Sequence, residues 1–142
     1  MVDAPRLVRL LQRVTEELAY LHARAGDDRA AIAADIERLS GLRYRFVTAI
    51  EGVVNVAQHV CATEGYGPPR DNADAVRLLG KHAVVPADLA ERVAPAVGFR
   101  NILVHQYADI DDRLVLAQLD RLEELDGFVS AVTAWLGRQP DA

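Results

Sequence analysis

Apolar residues recur every three or four positions along almost the whole chain, the spacing that gathers side chains on one face of an α-helix. Asp3 is a suitable N-terminal cap, Pro5 fits a first helical turn, and Gly26 is a typical helix end. We therefore predict a first helix between Asp3 and Gly26. Its apolar stripe comprises Leu7, Leu10, Leu11, Val14, Leu18 and Leu21.

A second helical region is predicted from about Asp28 to Thr63, because two further apolar stripes follow one another there. Ser40 and Gly41 lie between these stripes, and glycine is a weak helix former, so we expect a break or kink at this point. Gly52 lies inside the second stripe, where the lack of a side chain would let another helix approach closely.

Residues 65–72, GYGPPRDN, interrupt the helical pattern with glycines and prolines and predict a loop. A short helix is then predicted from Asn72 to about His82. Another begins at Pro86 and continues through the apolar residues near position 100. Pro95 lies inside this helix, where it removes a backbone hydrogen bond and predicts a kink.

The last quarter of the chain predicts one long closing helix. Asp111 is a suitable N-cap, Asp112 lies in the first turn, and a nearly continuous apolar stripe runs to Leu136. No segment shows the two-residue alternation of a strand. We therefore predict an all-α fold, a single antiparallel helical bundle of five or six helices over residues 1–142.

Composition excludes several classes of protein. No apolar run approaches the roughly 20 residues of a membrane-spanning helix. The charges of Asp3 and Glu16 make the N-terminal segment unlike a signal peptide. Cys61 is the single cysteine, which favours a reducing compartment and a cytoplasmic location. The net charge of −5 argues against a general nucleic-acid coat protein, but the acidity is concentrated in residues 106–142, which leaves room for an anion site in the middle of the chain.

The residues with the clearest chemical potential lie in FRNILVHQY, positions 99–107. On a helix, Asn101 and His105 are four positions apart and share a face, and the long side chain of Arg100 can bend towards the same point. Histidine transfers protons near neutral pH, arginine grips phosphate through two parallel hydrogen bonds, and asparagine can orient the histidine or donate to a phosphate oxygen. This set suits phosphodiester cleavage and needs no metal ion.

The spacing by itself favours a structural interpretation of the same segment. Arginine and histidine five positions apart occur by chance in many helices, as a surface arginine and a partly buried histidine bonded to a backbone carbonyl. Ile102 and Leu103 lie between the polar residues and are expected to anchor the segment to the core. The chemical interpretation therefore needs support from a larger part of the chain.

The motif R-N-x-x-x-H-x-Y, formed by Arg100, Asn101, His105 and Tyr107, resembles the signature of the HEPN superfamily. Its tyrosine, two positions after the histidine, is similar to that of the HepT toxin branch. The resemblance implies a metal-independent ribonuclease without a cofactor, in which Arg100, Asn101 and His105 carry the catalysis.

The resemblance extends in order and spacing from LRYRFVTAIEGVVNVAQHV (42–60) through residues 78–111 to the closing helix. HepT-like proteins are helical homodimers in which the two motifs meet across the interface and form one cleft. They are toxins of toxin–antitoxin pairs whose partner is a minimal nucleotidyltransferase of the MntA kind. The resemblance implies that such an antitoxin silences this chain by transferring AMP from ATP to Tyr107.

Other polar residues allow two interpretations each. Arg43 and Arg45 precede the second apolar stripe, where they contact RNA or the partner near the cleft, or form a solvated helix face. His59 and Cys61 are two positions apart, which suits neither one helix face nor a usual zinc pair. The acidic residues of segment 109–112 are better explained by helix capping than by metal binding. We therefore predict no metal site.

A non-catalytic HEPN module that binds a nucleotide or a partner protein is the competing function. The intact motif favours the ribonuclease, because a pure scaffold has no chemical need for an arginine, an asparagine and a histidine together. A plain helical dimerisation protein is a third alternative, which a neighbouring nucleotidyltransferase gene would count against.

Overall fold

The computed structural model describes residues 2–105 and 111–140, and within these ranges all regular secondary structure is helical. The all-α prediction is therefore confirmed. Five helices have ten residues or more, in agreement with the predicted bundle of five or six. The α-helices are α1 (Ala4–Ala25), α2 (Arg29–Ala33), α3 (Ile36–Glu64), α4 (Asn72–Lys81), α5 (Ala87–His105), α6 (Asp112–Ala117) and α7 (Leu122–Gly137).

Helix α1 begins and ends where the sequence predicts. The Asp3 carboxylate accepts a hydrogen bond from the backbone N–H of Arg6 at 3.1 Å, and Gly26 forms the C-terminal cap. Pro5 lies in the first turn, where its missing N–H would have no partner within the helix. The buried face of α1 consists of Leu7, Leu11, Val14, Leu18 and Leu21.

The break in the second helical region lies earlier than the sequence predicts. Helices α2 and α3 are separated at Asp35, and α3 continues through Ser40 and Gly41, so the predicted break at those two residues is wrong. The Asp35 carboxylate accepts hydrogen bonds from the N–H groups two and three residues later, at 3.0 and 3.2 Å. This cap starts a new helix there.

Gly52 of α3 allows α1 to pack closely against it. A Cβ built on Gly52 would lie 2.7 Å from Cγ2 of Val14, whereas one built on Gly41 would lie 3.6 Å from the hydroxyl oxygen of Tyr20, an ordinary van der Waals contact. The close approach predicted at Gly52 is therefore confirmed. Because later residues of α3 face earlier residues of α1, the two helices are antiparallel.

The predicted closing helix is divided into three parts. Helix α6 is followed by a 3-10 helix, Gln118–Arg121, and then by α7. The leucines at positions 116, 119, 122 and 125 are three residues apart, which is the repeat of a 3-10 helix rather than an α-helix. Tightening the backbone here keeps these leucines on the core side.

Helix α3 is the central element of the bundle, since it packs against α1, α4 and α5. The Phe46 and Phe99 rings join α3 to α5 edge to face, with centroids 6.1 Å apart. Helix α7 packs against α1 and α5. No helix within the described residues is long and apolar enough to cross a membrane.

Candidate active site

The residues FRNILVH lie at the C-terminal end of the described part of α5, Ala87–His105. The helix passes through Pro95 without ending, and this proline faces solvent. Leu103 is 3% exposed and anchors the segment to the core, as predicted. Ile102 is 39% exposed, so the prediction that it is a second anchor is wrong. The polar residues of the motif therefore stand on a helix end that is fixed on one side only.

The Arg100 guanidinium is held by two acceptors on different helices. Its Nη2 donates to Oε1 of Glu51 on α3 at 2.5 Å, and its Nη1 donates to Oδ1 of Asn101 at 3.1 Å. The Arg100 side chain is 23% exposed and the Glu51 side chain 44% exposed. A charge-assisted bond of this kind fixes the plane of the guanidinium. The remaining N–H groups of the Arg100 guanidinium take no part in these two bonds.

Sequence reasoning missed Glu51, although a signal for it exists. It is the single acidic residue of α3 between Glu37 in the first turn and Glu64 at the end. An isolated carboxylate on a helix rich in apolar residues, in a chain whose chemistry centres on an arginine, is a candidate partner for that arginine. The cross-helix pairing itself depends on how α3 and α5 pack.

His105 is exposed at the end of α5, and no hydrogen-bond partner for its imidazole occurs among the described residues. Asn101 lies one helical turn before it, on the same face, as the spacing predicts. The Asn101 side-chain oxygen accepts a hydrogen bond from Arg100, so within the described chain this residue orients the arginine. Tyr107, the predicted AMP acceptor, lies outside the described residues.

The two further arginines proposed for RNA or partner contact have partners within the chain. Arg43 forms an ion pair with Asp112 that ties α3 to α6. Arg45 pairs with Glu17 at 3.3 Å and lies over the Tyr20 ring, 4.6 Å from its centroid. Both therefore contribute to packing between helices, and neither is simply a solvated helix face.

His59 and Cys61 face different neighbours. Burial lowers the pKa of His59 below its ordinary value of 6.5, and the nearby Arg6 charge lowers it further. Its buried Nε2 has no hydrogen-bond partner within the described chain. The Cys61 thiol points to the Ala75 carbonyl, 3.6 Å away, and burial raises its pKa.

A family model described as "Ribonuclease HepT-like" matches residues 8–132. The chain belongs to the HepT-like ribonuclease family. It is 29% identical over 87 residues to the tRNA nuclease HepT of Aphanizomenon flos-aquae, covering 61% of this chain and 59% of that protein. It is 27% identical over 85 residues to the mRNA nuclease HepT of Shewanella oneidensis, covering 59% and 64%. The chain thus spans about three fifths of the length of these two relatives.

A solved structure shows the same fold as this HepT-like chain. It is a tri-AMPylated HEPN toxin of Shewanella oneidensis in complex with an MNT antitoxin. The two chains superimpose with a TM-score of 0.83 at 19% sequence identity, over 94% of this chain and 99% of that one. The predicted HEPN-like architecture is therefore confirmed.

Apolar side chains remain exposed on either side of the motif in this HepT-like chain. Ile102 and Val104 are 39% and 42% exposed on α5. Tyr44, beside Arg43 on α3, is 64% exposed, and Leu114, at the start of α6, is 54% exposed. Large apolar side chains next to functional residues are typical of a surface that another chain covers.

The clefts described on the surface lie away from the motif. Five clefts of about 280 to 490 Å³ lie elsewhere, and none of them is lined by Arg100, Asn101 or His105. No cluster of three His, Cys, Asp or Glu side chains in residues 2–105 and 111–140 could hold a metal ion. Asp111 accepts a hydrogen bond from the N–H of Arg113 at 2.9 Å and caps α6, as predicted.

Proposed function

We propose that this HepT-like chain is a metal-independent endoribonuclease and the toxin of a bacterial toxin–antitoxin pair. The observation that carries the proposal is the Arg100 guanidinium, held by Glu51 and Asn101 one helical turn before an exposed His105. Membership of a family of HepT-like ribonucleases supports the same reaction class.

In the proposed reaction, Arg100 binds the scissile phosphate and stabilises the charge that builds on it in the transition state. His105 acts as the general acid–base group. The ribose 2′-oxygen attacks phosphorus and loses its proton, the bond from phosphorus to the 5′-oxygen breaks, and that oxygen gains a proton. The products are a 2′,3′-cyclic phosphate and a free 5′-hydroxyl. Asn101 and Glu51 act as positioning residues for Arg100.

The proposed active form is a homodimer in which the two motifs form one cleft. Ile102 and Val104, exposed beside the motif, and Tyr44 on the neighbouring α3 supply an apolar surface for the second copy. A cleft assembled from two chains also explains why the motif of one chain lies on open surface.

The proposed partner is an MntA-like nucleotidyltransferase that transfers AMP to Tyr107. The phenolic oxygen would attack the α-phosphorus of ATP, and pyrophosphate would leave. The support is the position of Tyr107 two residues after His105, together with the fold shared with a toxin solved in tri-AMPylated form with its antitoxin. AMP there would bring a phosphate that competes with RNA for Arg100. We infer a cytoplasmic location for this pair.

Cleavage of labelled RNA by the purified protein tests the proposal. Arg100→Ala and His105→Ala should each lower the rate by roughly 10²- to 10⁴-fold, because each removes one element of transition-state stabilisation or proton transfer. The parent should keep its activity in EDTA. Arg113→Ala and His22→Ala are matched controls, since both side chains are exposed and lie outside the motif.

Three results would count against the proposal. Controls that lose as much activity as the motif variants would show a general effect on the fold. Loss of activity in EDTA would show that a metal takes part. An intact dimer that binds RNA or nucleotide but cleaves none would favour the non-catalytic HEPN module.

A further inference from the structure

Three arginines on α1 have no carboxylate partner among the described residues, unlike most arginines of the chain. Eleven of the fifteen arginines form an ion pair within the described residues. Arg138, near the C-terminus, is the only other one unpaired in that part of the chain. The three on α1 are Arg6, Arg9 and Arg13.

These arginines form one positive stripe, which we call the α1 stripe. Residues 4–15 contain Arg6, Arg9 and Arg13 and no acidic residue, in a chain of net charge −5. The three positions follow the i, i+3, i+7 spacing of one helix side, and all three side chains are exposed. They line a shallow cleft of about 390 Å³, which also has the acidic Glu16 in its lining. Seven residues of α-helix place the outer two about 10.5 Å apart along the axis.

The α1 stripe lies on the flank of α1 that faces α3. Arg13 is one helical turn before Glu17, whose carboxylate reaches Arg45 of α3. At the other end, the charge of Arg6 acts on His59 of α3. The stripe therefore follows α3 from near Arg45 towards His59.

The same α3 surface leads from the α1 stripe to the motif arginine. Gly52 contacts Val14, the neighbour of Arg13, so this part of α3 and the stripe lie at the same level of the bundle. Glu51, one residue earlier and about 100° round the helix, bonds to Arg100. The α1 stripe thus starts next to one side of α3. The other side of α3 contacts Arg100, the proposed catalytic arginine.

We propose that the α1 stripe is a second RNA-binding site, which holds the phosphate backbone of the substrate away from the cleavage point. This inference rests on the proposed ribonuclease function. Guanidinium groups bind phosphate oxygens through paired hydrogen bonds, and arginines free of carboxylates lose no ion pair when they do so. An RNA strand is favoured over an acidic protein because the stripe is narrow and lies at the level of the phosphate-binding arginine.

The test replaces all three arginines, as Arg6→Gln, Arg9→Gln and Arg13→Gln in one protein. With an RNA several tens of nucleotides long, KM should rise roughly 3- to 100-fold, the sum of three exposed charge contacts. The kcat should stay unchanged, because the cleavage site is intact. Between about 50 and 200 mM salt, the slope of log affinity against log salt should become shallower by about 0.7 per contact, or about 2 in total.

A matched control separates the position of the stripe from the overall charge. Arg70, Arg92 and Arg121, each bonded to a carboxylate three or four residues away, are replaced by glutamine together. This control loses the same three positive charges and should keep the parental KM and salt slope. A dinucleotide substrate should be cleaved equally well by all proteins, since it cannot reach the stripe. Replacing the three stripe arginines by lysine should restore most of the binding.

Each outcome supports or overturns the proposal that the α1 stripe binds RNA. The proposal would be overturned if the glutamine variant kept the parental KM and salt slope, or if the control lost as much RNA affinity as the glutamine variant. Loss of antitoxin binding with RNA affinity intact would assign the stripe to an acidic protein and also overturn it. If the parent cleaves no RNA, the ribonuclease proposal fails. The stripe is then still judged by fluorescence anisotropy of labelled RNA, with circular dichroism to verify each fold.

Discussion

The contact between Glu51 and Arg100 leads to a prediction in which catalysis and stability respond differently. In the fold, the Glu51 carboxylate is 44% exposed, so the ion pair is screened by solvent and contributes about 0 to 1 kcal/mol to the free energy of unfolding. In the proposed reaction, the same bond, 2.5 Å long, would set where the guanidinium meets the phosphate. A displacement of about 1 Å can lower a rate about 100-fold.

We therefore expect Glu51→Ala to lower kcat for RNA cleavage by roughly 10- to 100-fold while the unfolding midpoint in urea changes little. Glu51→Gln keeps an oxygen that can accept from Arg100, and its kcat should lie within about fivefold of the parent. The glutamine variant should also show a lower KM, because a negative charge beside the phosphate site is gone. Rapid-quench kinetics with end-labelled RNA give kcat and KM separately.

The matched control is the pair between Arg77 of α4 and Glu91 of α5, which joins two helices in the same way at 3.3 Å but lies away from the motif. Glu91→Ala should leave kcat unchanged. A Glu51→Ala protein that cleaves saturating RNA at the parental rate would refute the positioning role. A glutamine variant as inactive as the alanine variant would show that charge, and not orientation, is what Glu51 supplies.

Four further outcomes are expected. Sedimentation at micromolar concentration should give about twice the monomer mass of 15.5 kDa, and a monomer would contradict the shared cleft. Co-expression with an MntA-like nucleotidyltransferase should add one or more AMP masses to the parent and none to Tyr107→Phe. Because burial lowers the pKa of His59, folding favours its neutral form, and the stability of the fold should therefore fall as the pH drops below 6.5. In thermal melts between pH 7 and 5, His59→Leu should make the melting temperature less dependent on pH. Gly52→Ala places a Cβ 2.7 Å from Val14 and should lower the free energy of unfolding by about 1 kcal/mol in urea titrations, a loss that Val14→Ala should partly relieve.

Local features of the sequence determined most helix boundaries. Caps such as Asp3 and Asp111 act through hydrogen bonds to N–H groups a few residues away, so the sequence alone specifies them. Loop 65–72 is equally local, because Gly65 and Gly67 adopt positive φ and the two prolines lack the N–H that a helix interior uses. The break expected at Ser40–Gly41 was wrong, since the cap at Asp35 starts the helix earlier and α3 continues through Gly41.

The segment proposed as catalytic was identified from the sequence because its three polar residues lie within six positions and form a motif that resembles the HEPN signature. Their surroundings were not, because partners on other helices depend on how those helices pack. Three other features depend on helix packing in the same way and were not predicted. They are the exposure of Ile102, the ion pair of Arg43 with Asp112 and the contact of Arg45 with Tyr20.

Helical periodicity thus determined the fold class, and a short motif determined which residues we propose to carry the chemistry, since both patterns are local in sequence. Only the tertiary structure joined Glu51 to Arg100 across 49 positions of sequence and left the α1 stripe without a carboxylate partner among the described residues. The physical reason is that a charge is neutralised by whichever side chain the packing brings within about 4 Å, and sequence separation does not measure that distance.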